Sequence, residues 1–524
     1  MLLPGTMPDI IDSLKPSLCH LHGVSQVQVI ETHISWVLLT GKIVYKVKKP
    51  VDLGFVDFTT LEKRKFYCFE ELRLNKRLAP ELYIDVAAIT QDTSGLTING
   101  KGPTVDYAVR LHQFDHDKQL DVLIDQQNLT LKHIQELVMI ISNFHRTIKR
   151  ATADARFGDP AVIHHATHNN FHHCRELLQN DQDLEKLNDL DAWNEAEFSR
   201  IEPELAARKQ NGFVRECHGD LHLGNIAIYK DRITPFDCIE FNADFRWIDV
   251  VSEVAFLVMD LFARGRRDLA THFLNDYLTL TGDYDGLSCL RFYLVYRAMV
   301  RAKVEIIRGN QPGCSAAQHE TSLAGYHHFV QLANQFRQVS KPVLVITHGF
   351  SGSGKTTIAR LLFQHWFAIH LRSDVERKRL YNLQATDKSD SAVDRGIYSK
   401  EATEKTYAKL YTLADHILRN HWNVIVDATF LKQEHRKQLR QLAAEYQVPF
   451  VIMDCQANIE CLEQRITSRA RESTTISEAT LEILRHQIES AQAFTDEEQP
   501  YIISVDTEQA LDVEHLVSQI TNNR

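Results

Sequence analysis

The 524-residue chain has no CxxC pair and no cysteine spacing of a disulfide framework; its nine cysteines are scattered. An odd, dispersed set reads as reduced thiols of a cytosolic protein, not as a secreted scaffold. Long apolar runs are also missing. The most apolar stretch, VAFLVMDLFA at 254–263, is interrupted by Asp260 and is too short to span a bilayer. The opening MLLPGTMPDIIDS has no basic n-region, so no signal peptide is expected. A basic excess is lacking as well. The net charge is −10, with 37 basic and 44 acidic residues before position 340 and 22 and 25 from it on. That balance argues against a broad phosphate-tracking surface for long nucleic acid. A pocket for one nucleotide or one polynucleotide end stays open. No internal repeat and no low-complexity segment is visible. A cytoplasmic protein with small-molecule partners and no membrane association is the expectation; nothing marks the oligomeric state.

What is present is ordinary for a globular protein: 44% apolar and 24% charged residues. The length exceeds one core, so two or three domains are expected. Residues 25–50 alternate as strands do, with VQVI, SWVLLT and KIVYKVKKP, the last two separated by a TGK turn. Residues 59–79 have helical spacing, with Leu61, Phe66, Phe69, Leu72 and Leu78 available for an inner face. PELYIDVAAIT and YAVRLHQF read as further strands. From about 117 on, most segments look helical. The pattern changes at VLVIT (343–347), after which strands alternate with helices through VIVDAT, FVIMDC and YIISVD. Such alternation implies a parallel sheet covered on both faces. The expected domains are 1–337, with a small lobe at about 20–100 and a helical lobe at about 101–337, and 338–524.

Residues 349–357, GFSGSGKTT, fit G-x-x-x-x-G-K-[ST] in full, between an apolar strand and a helix. Gly349, Gly352 and Gly354 let backbone N–H groups converge on phosphate oxygens, with Ser351, Ser353 and Thr357 in the same loop. Lys355 is placed for the β- and γ-phosphates of ATP, and the Thr356 hydroxyl for Mg2+. Asp427 ends the apolar run NVIVD, where an aspartate can hold Mg2+. Asp374 follows a possible strand and can take the proton from an attacking hydroxyl; Arg377, three residues on, can hold substrate. Arg465 and Arg469 are four apart on one helix face, with Arg471 beyond, and can stabilise the charge of phosphoryl transfer.

These elements resemble the P-loop kinase family that includes polynucleotide kinases, zeta toxins and gluconate kinase. The likeness covers about 340–524 and rests on the Walker A loop, Ser373-Asp374-x-x-Arg377, VDATF at 426–430 and the arginines of 465–471. By that resemblance Asp374 acts on the acceptor hydroxyl, and Arg465 and Arg469 form a lid.

A second constellation is ECHGDLHLGN at 216–225. Asp220 and Asn225 stand five apart, as in an H-x-D-x-x-x-x-N catalytic loop. An aspartate there orients or deprotonates an acceptor hydroxyl, and the asparagine reaches a metal ion. A second metal-ligating aspartate is due after a short hairpin, and Asp237 follows NIAIYKDRITPF. The triplet there is Asp-Cys-Ile, not the Asp-Phe-Gly of protein kinases. Upstream, Lys46 and Lys48 point the same way on a strand; Lys46 is the better candidate for the α/β-phosphates. Glu70 and Glu71 are both candidates to pair with it, and Glu71 is preferred. His218 and His222 read as scaffold. His164, His168 and His172 would line one helix face, but no Cys or Glu joins them at zinc-site spacing, so a polar helix or acceptor-site wall is the expectation. Asp249 and Glu253 read as helix-capping and structural.

HGDLHLGN and FDCIEF resemble the aminoglycoside phosphotransferase and choline kinase family over roughly 20–335. The resemblance implies an α+β, protein-kinase-like bilobal domain with Asp220 as catalytic base and Asn225 and Asp237 on Mg2+. The family's glycine-rich nucleotide loop is not visible; ETHISWV occupies its place. The domain order resembles bacterial fusions of such a domain with an α/β P-loop domain. The leading expectation is a bifunctional ATP-dependent phosphotransferase acting on small-molecule hydroxyls. The alternatives are a regulatory nucleotide-binding protein with a P-loop ATPase switch, or a 5′-hydroxyl polynucleotide kinase in the second half.

Overall fold

The computed structural model describes residues 7–469 and 480–522, apart from 55, 94, 312, 386, 388 and 390–395. Two compact units emerge: one up to Asp260 with Tyr296–Tyr326, the other Leu261–Val295 with the chain from His327 on. A single cut near 337 treats the two as successive, whereas Leu261–Val295 clusters with the later unit.

The first unit opens with an antiparallel sheet built from β1 (Gln28–Glu31), β2 (Ser35–Leu39), β3 (Ile43–Lys48), β4 (Tyr83–Asp92), β5 (Gly95–Ile98) and β6 (Thr104–His112). Its order is β1-β2-β3-β6-β4-β5. Strand alternation gives β3 two different faces. Tyr45 and Val47 join a core with Ile11, Leu14 and Leu18 of the helix Met7–His22. Lys46 and Lys48 face the other way, toward Glu71 of the helix Leu61–Asn75. Thr60 caps that helix by accepting from Lys63 N at 3.2 Å. Its inner face is Arg64, Cys68, Glu71, Leu74 and Asn75. The expected inner residues Phe66 and Phe69 are instead exposed, because ion pairs from Arg64 and Glu71 to the sheet set the helix rotation.

The helical lobe adds two small strand pairs. β7 (Val214–Glu216) pairs with β10 (Trp247–Asp249), and β8 (Ile226–Tyr229) with β9 (Arg232–Pro235). Lys230 and Asp231, both at positive φ, make the two-residue turn of the β8–β9 hairpin. The ECHGDLHLGN segment runs from the end of β7 to the start of β8.

The second unit carries β11 (Leu344–His348), β12 (Ala368–Arg372), β13 (Asn423–Asp427), β14 (Phe450–Gln456) and β15 (Ile502–Asp506). All pairs are parallel, in the order β12-β13-β11-β14-β15. Apolar runs on both faces of β11, β13 and β14 explain their burial. β12 is an edge strand, and Asn275 closes it: its amide donates to Ala368 O at 3.0 Å and accepts from His370 N at 2.7 Å. The fold class is the one the sequence implies, an α+β kinase-like unit and an α/β parallel-sheet unit. Among the described residues no helix is long and apolar enough to cross a membrane.

Candidate active sites

In the first unit, the loop after β7 turns at Gly219, whose φ is +90°. A Cβ there would come 2.7 Å from Phe245 O, so only glycine fits without displacement. The buried Glu253 carboxylate holds the turn. It accepts from His218 N at 3.2 Å, Gly219 N at 2.7 Å and the His145 ring at 2.9 Å. Asp260 accepts from Leu223 N at 2.9 Å, and Arg297 donates to Gly219 O at 3.2 Å. Asp249 accepts from Val251 N and pairs with Arg208, a capping and structural role.

Within this frame Asn225 Nδ2 donates to Asp220 Oδ2 at 2.9 Å and Asp220 O at 3.0 Å. Burial pushes the Asp220 carboxyl up, but His222, His218 and Arg301 outweigh it and hold the group well below the carboxylate range. Asp220 is therefore ionised. His222 Nε2 lies 3.4 Å from Asp220, and its Nδ1 accepts from Gly224 N at 3.1 Å. His218 accepts from Asp220 N and meets Phe236 O at 2.8 Å. Both histidines are tied to the backbone of the loop.

The β8–β9 register sets Phe236 N on Asn225 O at 2.9 Å, which brings Asp237 next to Asn225. Asp237 has φ +63°, a left-handed conformation that turns the chain out of β9. Lys46 Nζ is hydrogen-bonded to Asp237 Oδ1 and lies 3.0 Å from Glu71 Oε1. Burial would lower its pKa, but Asp237, Glu71 and Glu240 raise it well above the ordinary lysine value. Lys48 pairs with the other Glu71 oxygen at 2.8 Å and with Glu240. Burial alone would push Glu71 up; the two lysines bring it down to about 2. Asn225 commits its amide nitrogen to Asp220, so its amide oxygen is the atom it can offer a cation beside the Asp237 carboxylate. That donor set fits Mg2+. β1 and β2 join through the tight turn Thr32–Ser35, where Thr32 Oγ1 accepts from Ser35 N at 3.0 Å, with no glycine loop.

In the second unit, Gly349, Gly352 and Gly354 all have positive φ. A Cβ on Gly349 would meet Cys455 O at 2.5 Å. Lys355 starts the helix Lys355–His365, and its Nζ donates to Phe350 O at 2.6 Å, folded into the cradle the loop forms. Thr356 Oγ1 donates to Asp427 Oδ2 at 2.7 Å. Asp427 also meets His370 Nε2 at 3.2 Å and Thr347 Oγ1 at 3.4 Å. Burial pushes its carboxyl up, and His370, Arg372 and Thr356 reverse that, so it stays ionised. A hydroxyl and a carboxylate side by side under an N–H-rich loop fit Mg2+ with nucleotide phosphates. Ser351 N donates to Gln487 at 2.8 Å, Ser353 is buried, and the Thr357 side chain is exposed. Arg465 donates to Gly352 O at 3.2 Å and to Thr507 O at 2.7 Å, bracing the loop. Arg469 ends the helix Ile459–Arg469; its side chain and Arg471 lie outside the described residues.

The loop opens on a cavity of about 550 Å³ that Asp374, Arg372, Arg377, Lys400, Lys432 and His486 help to line. Arg377 is anchored on Ile397 O at 2.9 Å and Thr403 Oγ1 at 3.1 Å. Arg372 Nε is buried, with no hydrogen-bond partner among the described residues. Sequence reasoning did not reach Glu240 or Arg372, and it named Lys48 and Glu253 without their partners. Glu240 stands inside FDCIEF, and Arg372 just before Asp374; both were close to residues already singled out.

Residues 67–293 match the phosphotransferase enzyme family, and residues 344–494 match an AAA domain family. The chain thus carries a phosphotransferase-family domain followed by a P-loop kinase domain, and it is an enzyme of the kinase class. Similar curated proteins include uncharacterised ones from Mycobacterium tuberculosis and Mycobacterium bovis. Each is 29% identical over 475 residues, spanning 89% of this chain and 91% of theirs. Among solved structures, an amicoumacin kinase in complex with AMP-PNP and Ca2+ aligns over 58% of this chain and 88% of its own, at 12% identity and TM-score 0.37. A gluconokinase from Sinorhizobium meliloti aligns over 35% and 91%, at 16% identity and TM-score 0.24.

Proposed function

We propose that the chain is a bifunctional, cytoplasmic kinase whose two centres each transfer the γ-phosphate of Mg-ATP to a hydroxyl of a small molecule. Mg-ATP supplies the phosphoryl group and the electrostatic clamp on its oxygens. In the first centre, Asp220 is the ionised group that orients and deprotonates the acceptor hydroxyl. Asn225 and Asp237 hold the metal, and Lys46, positioned by Glu71, neutralises the phosphates. In the second centre, Thr356 and Asp427 hold the metal. Lys355 exchanges Phe350 O for phosphate oxygens, and Asp374 takes the acceptor proton. Arg465 keeps the loop in shape, and Arg469 is assigned to the lid.

The cavity beside Lys355 supports a finer reading of the second acceptor. Arg372, Arg377, Lys400 and Lys432 line the same cavity as one general-base candidate, Asp374. Four cations suit an acceptor that carries its own carboxylate or phosphate besides the hydroxyl. The observation that supports the second centre most directly is the Thr356–Asp427 hydrogen bond at 2.7 Å under the glycine loop, as the Asn225–Asp220 bond at 2.9 Å supports the first. The test is incubation with γ-labelled Mg-ATP and a panel of hydroxylated carboxylates, phosphate esters and neutral polyols. Label is expected on anionic members and lost in Lys355→Met. ATP hydrolysis with no labelled acceptor would overturn the reading.

A further inference from the structure

The histidine run at 164–173 falls in the helix Pro160–Leu177, and the next helix, Asp181–Gln210, packs against it. His164 and His168 are one turn apart on the first helix. Asp191 and Glu195 are one turn apart on the second. This pairing is what no linear spacing shows, since the carboxylates arrive 23 or more positions later. The ligand atoms of His168, Asp191 and Glu195 lie within 4.8 Å of one another. His164 Nε2 adds a fourth, 2.7 Å from Glu195 Oε2.

A further observation points to a missing ligand. Asp191 Oδ1 and Glu195 Oε1 are both buried, and among the described residues neither has a hydrogen-bond partner. Buried carboxylate oxygens without partners are costly unless a cation meets them. Neighbouring Asn194 is 0% exposed, and among the described residues neither of its amide atoms has a hydrogen-bond partner. Meanwhile Arg175 donates to Asp191 Oδ2 at 2.8 Å and to Asn188 Oδ1 at 3.1 Å, fixing the carboxylate from behind. The His164 ring packs on Phe198 with centroids 4.7 Å apart. Asp191 and His164 are thus already held from behind, as outer partners hold metal ligands.

We propose that His164, His168, Asp191 and Glu195 bind one first-row divalent transition ion, of the Zn2+ type, as a staple between the two helices. Two imidazole nitrogens with two carboxylate oxygens select such an ion over Mg2+ or Ca2+, which take oxygen ligands. In a tetrahedral site ligand atoms are about 3.4 Å apart, so on binding the exposed His168 ring moves in and the His164–Glu195 pair, now 2.7 Å apart, opens. The site shares no residue with either phosphoryl-transfer centre.

The test uses the full chain, stripped with chelator and titrated with Co2+ alone. One equivalent is expected to give visible d–d bands, and Zn2+ is expected to bleach them and raise the melting temperature. His168→Ala and Glu195→Gln should each weaken binding at least about 100-fold, more than loss of an outer partner does. Asp237→Asn and Asp427→Asn, which alter the nucleotide centres, should leave the bands unchanged. Absence of the bands, or bands that persist in His168→Ala, overturns the proposal. Zn2+ stabilisation that survives Glu195→Gln overturns it too.

Discussion

Replacing Glu253 by Gln removes the anchor of the first catalytic loop without changing side-chain size. The carboxylate takes three donors, at 2.7, 2.9 and 3.2 Å, and is fully buried. A glutamine keeps one acceptor oxygen and turns the other position into a donor facing an N–H. A charged hydrogen bond is worth about 1.5–3 kcal/mol, and a buried donor left unpaired costs about as much. A second route gives a similar figure. Burial pushes the Glu253 carboxyl up, yet His145 and His218 bring it from 4.5 to about 2, a displacement worth about 3 kcal/mol. Its folded pKa is depressed, so this stability is present above pH 4.5 and is lost as pH falls toward 2. The expected outcome is that amide exchange at Gly219 and its neighbours accelerates about 100-fold in Glu253→Gln, as about 3 kcal/mol of lost local stability requires. First-centre phosphate transfer should collapse, while Lys355-dependent transfer is kept. Exchange changed by less than about threefold would refute the anchoring role.

Four other outcomes are expected. Lys48→Met leaves Glu71 and Glu240 buried with one cation fewer, and should cost about 3–5 kcal/mol in urea unfolding, whereas Lys46→Met should chiefly impair ATP binding. Asp427→Asn should raise the Mg2+ concentration needed for second-centre turnover about tenfold or more, read from a Mg2+ titration at fixed ATP. His272 is 4% exposed, and burial with the Arg360 charge lowers it to about 4. Above pH 6.5 it contributes nothing; between 6.5 and 4 only the unfolded chain takes up the proton, so stability falls by up to about 3 kcal/mol. Melting followed against pH should show that loss, and His272→Leu should reduce it. Arg436, 1% exposed, bonds Glu498 at 2.7 Å, so Arg436→Met should destabilise by about 3–5 kcal/mol in denaturant titration.

Much of both sites is legible because each is a local motif whose chemistry forces residue types at short spacing. Gly219 in HGDLHLGN and Gly349, Gly352 and Gly354 in GFSGSGKTT take positive φ, and the candidate residues of each motif lie within a few positions. The hairpin that carries Asp237 back to Asn225 is equally local. What stayed hidden depends on distant pairing. Glu253 meets His218 and Gly219 from a later helix, and Lys48 finds Glu240 nearly two hundred residues on. Phe66 and Phe69 mislead because two buried ion pairs, not apolar periodicity, rotate their helix. Asn275 serves β12 from a segment whose own sequence suggests only another helix. The carboxylates that join His164 and His168 are invisible for the same reason.

The central claim is that one chain holds two separate phosphoryl-transfer centres. It is tested most directly by γ-labelled ATP with a hydroxylated metabolite mixture, comparing wild type, Asp220→Asn and Lys355→Met by product mass and label. The account predicts labelled products from wild type, with at least one lost in each variant. Asp220→Asn retaining every labelled product at wild-type rate would contradict it.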